Sequence, residues 1–148
     1  EFVKSEPLVV NGVETRWRIF GKYDLVATNE DGTLGLIDCK VSDSQRDSGQ
    51  FYSPQLEAYA LCLENPAVGR SQTVASMGLL VWKPDTAIGT SVEDYGFGVV
   101  QKYVPVERDQ ANFLTVIGEL IDVLEGELPD SGPECPTCNY LNARNALD

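Results

Sequence analysis

The sequence predicts an α/β (α+β) fold, a mixed central β-sheet flanked by helices, and three observations carry this. Strand-like runs come first, punctuated by turn signals at Asn11-Gly12 and Glu30-Asp31-Gly32. A helix follows, and then two further apolar strand runs. A second helix, with apolar residues at helical spacing, comes last. Strands first, then helix, strands and helix is an order that packs helices onto a sheet.

Each element has its own justification. Residues 2–10 (FVKSEPLVV) read as a strand, with Pro7 pointing to an edge or bulge. Asn11-Gly12 is a two-residue hairpin turn, because both positions tolerate positive φ. Residues 13–28 read as one long strand in which Gly21 marks a bend, and residues 33–41 (TLGLIDCKV) as a central strand. A polar loop covers 42–50. Ser53-Pro54 then places an N-cap before a first-turn proline, starting a helix that runs to about Glu64 and stops before Asn65-Pro66. Strands follow at about 73–83 and 96–106. Asp109 caps a last helix whose Phe113, Val116, Ile117, Leu120, Ile121 and Leu124 form one apolar stripe. Gly126 and Pro129 end it.

A length of 148 residues, with 43% hydrophobic and 23% charged, sets the expectation of one globular domain over 1–148, closing in a cysteine-containing tail over 130–148. The formal charge of -12 argues against a broad nucleic-acid-coating surface, which needs Lys and Arg to meet phosphates. It leaves room for a small basic patch or for a partner domain that supplies the grip. No apolar run approaches the roughly 20 residues of a membrane span. Glu1-Phe2-Val3-Lys4 lacks the pattern of a signal peptide, so the expected location is cytoplasmic. Without an initiator Met, residues upstream are expected to be missing. Cys39 and Cys62 lie in apolar segments and read as buried thiols, and a disulfide framework is not expected. The sequence has no His, which removes imidazole catalysis and most zinc chemistry.

The chemistry concentrates on the second and third strand runs. A three-residue loop at Glu30-Asp31-Gly32, with Gly32 at positive φ, pairs Asn29 with Thr33. Counting back, Asp24 falls opposite Asp38, and Lys40 shares their face two residues further on. Two close carboxylates repel unless a cation or proton intervenes. A hard divalent ion, Mg²⁺ or Mn²⁺, suits the oxygen donors, and the backbone carbonyl of Cys39 is a further candidate ligand. Such an ion acidifies bound water and neutralises phosphoryl oxygens, while Lys40 can orient water or stabilise developing charge. A cross-strand salt bridge uses the same residue types. Against that, Asp38 follows Leu34-Gly35-Leu36-Ile37, an apolar run where an unpartnered charge is costly.

The segment GKYDLVATNEDGTLGLIDCKVS followed by SPQLEAYALCLE resembles the RecB-like branch of the PD-(D/E)XK nuclease superfamily. The shared pattern is G-x-x-D on one strand (Gly21, Asp24), apolar-D-x-K on the next (Asp38, Lys40) and Q-x-x-x-Y on a helix (Gln55, Tyr59). The resemblance covers residues 2–64 best. It implies a restriction-endonuclease-like core and Mg²⁺- or Mn²⁺-dependent hydrolysis of DNA phosphodiesters, with Asp24 and Asp38 as metal ligands and Lys40 as the catalytic lysine. It also implies that Gln55 and Tyr59 orient the substrate strand or the lysine. Their spacing puts both on one helix face, which helix–sheet packing would also use. The family usually adds a Glu or His from a helix ahead of the first strand. Glu6 and Glu14 look like strand-surface residues, so that ligand is expected upstream of Glu1, or the metal site is incomplete.

Two features lie outside this pattern. Cys135-Pro136-Thr137-Cys138 sits in what reads as a turn-rich tail and offers two ligands for zinc or an iron–sulfur cluster. Some RecB-like nucleases close such a cluster with C-terminal cysteines and one N-terminal Cys. Four ligands are needed, and Cys39 and Cys62 fall on the strand and helix, so a complete cluster within this chain is not expected. Half a site, a vestige and a redox dithiol are the other readings. Arg16, Arg18 and Lys22 share the parity of Asp24 along the second strand run, giving a short basic track suited to a DNA backbone or a plain solvated face.

Two function classes follow. One is a deoxyribonuclease acting on DNA ends or single strands, an exonuclease among the options, serving repair, recombination or defence with a helicase or other repair-complex partner. The other is an inactive module of the same fold that binds nucleic acid or protein in a larger assembly. Asp24, Asp38 and Lys40 together favour the first, and the acidic charge and the missing upstream acid favour the second.

Overall fold

Asn11 and Gly12 both take positive φ, 51° and 77°, and close the predicted hairpin between β2 (Val9–Val10) and β3 (Val13–Glu14). The structure, a computed structural model, describes residues 1–41, 49–89, 91–127 and 132–146. The two long N-terminal strands expected from the sequence are broken into short pieces. Over residues 2–10 only β1 (Phe2–Lys4) and β2 are regular, because Ser5 turns inward. It is fully buried, and its hydroxyl accepts from Ile19 N at 2.9 Å. Residues 13–28 divide into β3, β4 (Phe20–Lys22) and β5 (Leu25–Thr28). Between β3 and β4 the chain keeps company with the first run through Leu8 N to Trp17 O and Ser5 N to Ile19 O, without a continuous ladder.

The central sheet has the order β5-β6-β7-β8, with β6 (Leu34–Val41) inside it as expected. β5 is antiparallel to β6, β6 is parallel to β7 (Val74–Ile88), and β7 is antiparallel to β8 (Gly96–Val106), so the sheet is mixed. A parallel neighbour needs a crossover, and α1 (Gly49–Glu64) provides it. This helix begins four residues ahead of Ser53, which is therefore not its N-cap, and Pro54 lies inside it. The missing proline N–H forfeits a bond only to Gln50, near the helix start where partners are scarce anyway. Residues 42–48 of the expected polar loop lie outside the described residues. β7 runs further than expected and forms a long hairpin arm with β8.

Alternation along the strands sends Leu34 and Leu36 of β6, Met77 and Leu79 of β7, and Val104 and Val106 of β8 to the face covered by Leu56, Ala60 and Leu63 of α1. Burying each of these Leu, Met and Val side chains contributes roughly 1.5–3 kcal/mol. On its other side α1 packs Leu61 with Leu8, Phe113 and Ile121, which brings in α2 (Gln110–Glu125). Asp109 caps α2 by accepting from Asn112 N at 3.1 Å, and Gly126 ends it, both as expected. Pro129 lies outside the described residues.

One buried ionic cluster ties these layers together. Glu57 of α1, 1% exposed, pairs with Arg108 at 3.2 Å and accepts from Asp109 N. Arg108 also pairs with Glu64 at 2.7 Å and donates to Val74 O at 2.9 Å. A single guanidinium thus joins α1, the start of β7 and the link from β8 to α2. The tail is not turn-rich throughout, since α3 (Pro136–Asn145) follows Cys135, with Pro136 in its first turn. Among the described residues no helix is long and apolar enough to cross a membrane.

Candidate active site

The turn at Glu30-Asp31-Gly32 sets the register of the site. Asn29 N donates to Thr33 O at 2.8 Å, Gly32 N to Asn29 O at 3.0 Å, and Gly32 has φ 83°. The ladder then runs from Thr28↔Leu34 to Leu25↔Ile37. The ladder ends there, one step short of the Asp24–Asp38 pairing counted from sequence. Regular pairing stops at Leu25, and the Asp24 carboxylate takes over, accepting from Cys39 N at 2.8 Å. In an antiparallel ladder, amides at alternate residues face the neighbouring strand. Cys39 is the next such residue after Ile37, so its carbonyl faces the Asp24 side as well.

Asp38 is 3% exposed, held among the apolar residues that bury the α1 face of the sheet. Its charge is met on two sides. Lys40 Nζ lies 2.7 Å from Oδ2, and Gln55 Nε2 donates to Oδ1 at 3.2 Å. The Lys40 contact is close but poorly directed, and Oδ2 accepts no well-formed hydrogen bond. Gln55 is the node of the site. Its carbonyl oxygen accepts from Lys40 Nζ at 3.3 Å, and its amide nitrogen lies 2.9 Å from Tyr59 Oη. Burial works against the Lys40 ammonium, but the adjacent carboxylate of Asp38, with help from Tyr52 and Asp24, outweighs it and raises its pKa above the usual lysine value.

The structure therefore brings Asp38, Lys40, Gln55 and Tyr59 into one hydrogen-bonded group and sets Asp24 on the adjoining amide. Tyr52 also belongs to it, with Lys40 Nζ 4.4 Å from the ring centroid. Sequence reasoning missed Tyr52 because it started the helix at residue 53. Once α1 is extended to Gly49, Tyr52 stands three residues before Gln55, on the same face. It missed Glu57 and Arg108 too, although a lone acid in the apolar run of α1 was a signal.

The basic track is not a strand face. Arg16 and Arg18 lie between β3 and β4, where alternation does not apply. Arg16 pairs with Glu125 at 3.1 Å, and Arg18 with Glu6 at 3.8 Å. Lys22 ends β4 and lies over the ring of Phe2. Of the thiols, Cys62 is buried as expected, while Cys39 is only partly so. Cys135 is the N-cap of α3, and its sulfur accepts from Cys138 N at 3.4 Å.

The donor set is oxygen-rich, with two carboxylates, one of whose buried oxygens lacks a hydrogen bond, and a carbonyl turned to the same side. That fits a hard ion such as Mg²⁺, which is commonly held by one or two carboxylates and keeps several waters. Among the described residues no group of three or more His, Cys, Asp and Glu side chains comes together, so water would complete the coordination.

A family model described as the PD-(D/E)XK nuclease superfamily matches residues 1–143. No curated protein matches the sequence. A solved structure titled "Crystal structure of SSO0001" is 17% identical with a TM-score of 0.49, over 84% of this chain and 50% of that one. The chain thus spans about half the length of that protein.

Proposed function

The chain belongs to the PD-(D/E)XK nuclease superfamily, and on that footing we propose that it is a divalent-metal-dependent nuclease of the RecB-like branch. Its substrate in this reading is DNA, cleaved by phosphodiester hydrolysis in repair, recombination or defence, with a helicase or other repair partner as its setting. The observation that carries it is the Gln55 node, which holds Asp38, Lys40 and Tyr59 within hydrogen-bonding distance of one side chain. Salt bridging alone would need neither the glutamine nor the tyrosine.

Each residue then has a role. Asp24 and Asp38, with the carbonyl of Cys39, would hold Mg²⁺ or Mn²⁺, which when bound supplies charge neutralisation at phosphoryl oxygens and acidifies water. Lys40 keeps its proton and stabilises negative charge at the reacting phosphate. Gln55 fixes the position of that ammonium, Tyr59 fixes Gln55, and Tyr52 covers the lysine from solvent. Cleavage of labelled single- and double-stranded DNA with Mn²⁺, Mg²⁺ or EDTA tests this. Metal-dependent cleavage that disappears in Lys40→Ala is expected, and no cleavage under any condition would sink it.

The alternative, an inactive nucleic-acid- or protein-binding module, is favoured by the limited set of acidic ligands gathered in the described residues. Metal-linked stability separates the two. Mn²⁺ raises the melting temperature if the site binds it, and Asp38→Ala removes that shift.

A further inference from the structure

β1 and β4 form a two-stranded ribbon whose faces differ sharply. The register pairs Phe2 with Lys22, Val3 with Gly21 and Lys4 with Phe20. Paired residues share a face, and so do residues two apart. Val3 and Gly21 therefore face inward, Val3 against the main core and Gly21 against Tyr59 of α1. Phe2, Lys4, Phe20 and Lys22 make up the outer face. The two phenylalanines are 65% and 67% exposed. Their rings stack at 5.5 Å and 6°, and Lys22 Nζ lies 5.7 Å from the Phe2 centroid.

We propose that this outer face is a platform for single-stranded nucleic acid leading to the candidate active site. The inference deepens the nuclease reading and rests on it for the link to cleavage. Among the described residues the two phenylalanines, on the solvent side of a ribbon whose inner side already packs, meet each other and Lys22 and stay mostly exposed. Aromatic faces accept unpaired bases of any sequence, and adjacent ammonium groups follow the phosphates. Charge selects the occupant. In a chain of net charge -12, four of the eleven basic residues are held by acids among the described residues, Arg16 by Glu125, Arg18 by Glu6, Lys40 by Asp38 and Arg108 by Glu57 and Glu64. Lys4 and Lys22 form no ion pair among the described residues and lie beside the rings. Duplex DNA hides its base faces, so it cannot use such rings, whereas an unpaired strand can. Asp24 lies two residues beyond Lys22, past the end of β4, so the two Cα atoms are at most about 7 Å apart.

The test is binding of fluorescein-labelled oligo-dT, oligo-U and a duplex of mixed sequence, followed by anisotropy in EDTA so that nothing is cut. Wild type is expected to bind the single strands more tightly than the duplex, with the dT and U arms reporting the preferred sugar. Phe20→Ala should weaken single-strand binding about tenfold, and Phe20→Trp should retain it. Two phosphate contacts give a log–log salt slope of roughly -1.4, and Lys22→Ala should reduce it by roughly 0.7. Phe20 is exposed, and an unchanged melting temperature for Phe20→Ala separates loss of binding from loss of fold. Unaltered affinity in Phe20→Ala, preference for the duplex, or no binding by wild type would each overturn the platform. Cleavage of single strands that persists with unaltered Phe20→Ala affinity would overturn the platform and leave the nuclease standing. Platform binding without cleavage would do the reverse.

Discussion

Gly21 and Tyr59 occupy the same space. A Cβ on Gly21 would lie 2.6 Å from Cε1 of the Tyr59 ring, closer than carbon atoms approach. The glycine of the G-x-x-D pattern is thus required by the tyrosine of the Q-x-x-x-Y pattern, one strand and one helix away. Gly21→Ala is expected to tilt the ring, lengthen the Gln55–Tyr59 contact and cost about 1–3 kcal/mol, the usual range for overpacking. Urea denaturation measures it, and wild-type stability in Gly21→Ala would contradict the packing argument.

Arg108 offers a test of how α1 is held. Replacing it with Met leaves the Glu57 carboxylate buried with, among the described residues, only the Asp109 amide as partner. Breaking a buried pair in this way typically costs about 3–5 kcal/mol. Because Arg108 keeps a quarter of its side chain in solvent, the lower end is expected. Glu57→Gln should cost less, since an amide oxygen can still accept from Asp109. Chemical denaturation of the two variants should rank them in that order.

Gln55 and Lys40 make a prediction about pH. The folded pKa of Lys40 lies above its ordinary 10.5, since the attraction of Asp38 outweighs burial. A raised pKa on a base means that the pair's stabilisation is complete below the unfolded value and is lost as pH climbs through the folded one. A cleavage rate that depends on the Lys40 ammonium should therefore show no fall assignable to it up to about pH 10. Gln55→Ala removes the carbonyl oxygen that accepts from the Lys40 ammonium and should bring that alkaline limb to lower pH. A pH–rate profile identical in wild type and Gln55→Ala would show that Gln55 does not hold the lysine.

The four thiols should react in a definite order. Cys135 is held below the usual thiol range by the Cys138 amide and then by the Cys138 thiol, and Cys138 is pushed up in return. Burial raises Cys62 to about 11. Cys39 is raised by burial, then by the charges of Asp24 and Asp38. Limited alkylation near pH 7.5, read by peptide mass spectrometry, should mark Cys135 first and Cys62 last, because only the thiolate reacts. Early modification of Cys62 would mean that α1 opens from the sheet.

The parts of the fold legible from sequence are those governed by local chemistry. Asn11-Gly12 and Gly32 announced their turns because positive φ restricts the choice of residue. The register of β5 on β6, from Thr28 opposite Leu34 to Leu25 opposite Ile37, followed from turn length alone. Asp109 could be read as a cap because a carboxylate suits free helix amides. What stayed hidden depends on distant partners. Ser5 breaks the first strand because Ile19 needs its hydroxyl, and nothing near Ser5 says so. α1 starts at Gly49 despite Pro54 because Tyr52 and Leu56 find Lys40 and the sheet beneath them. Arg108 reaches Glu57 across 51 residues, beyond any local pattern.

The turn at residues 30–32 has one more consequence, for the variation this chain can tolerate. Its side chains are exposed, and apart from Asp31, which accepts from Thr33 N and Oγ1, changes of identity there should matter little wherever Gly32 keeps its φ. Its length is another matter. Strand side chains alternate with period two, so an insertion or deletion of one residue between Asp24 and Asp38 turns one carboxylate to the reverse face, beside the Cys39 thiol. Every residue of the site would still be present, and the site would be gone. Single-residue indels should thus be purged from this loop in functional libraries while substitutions at Glu30 pass freely.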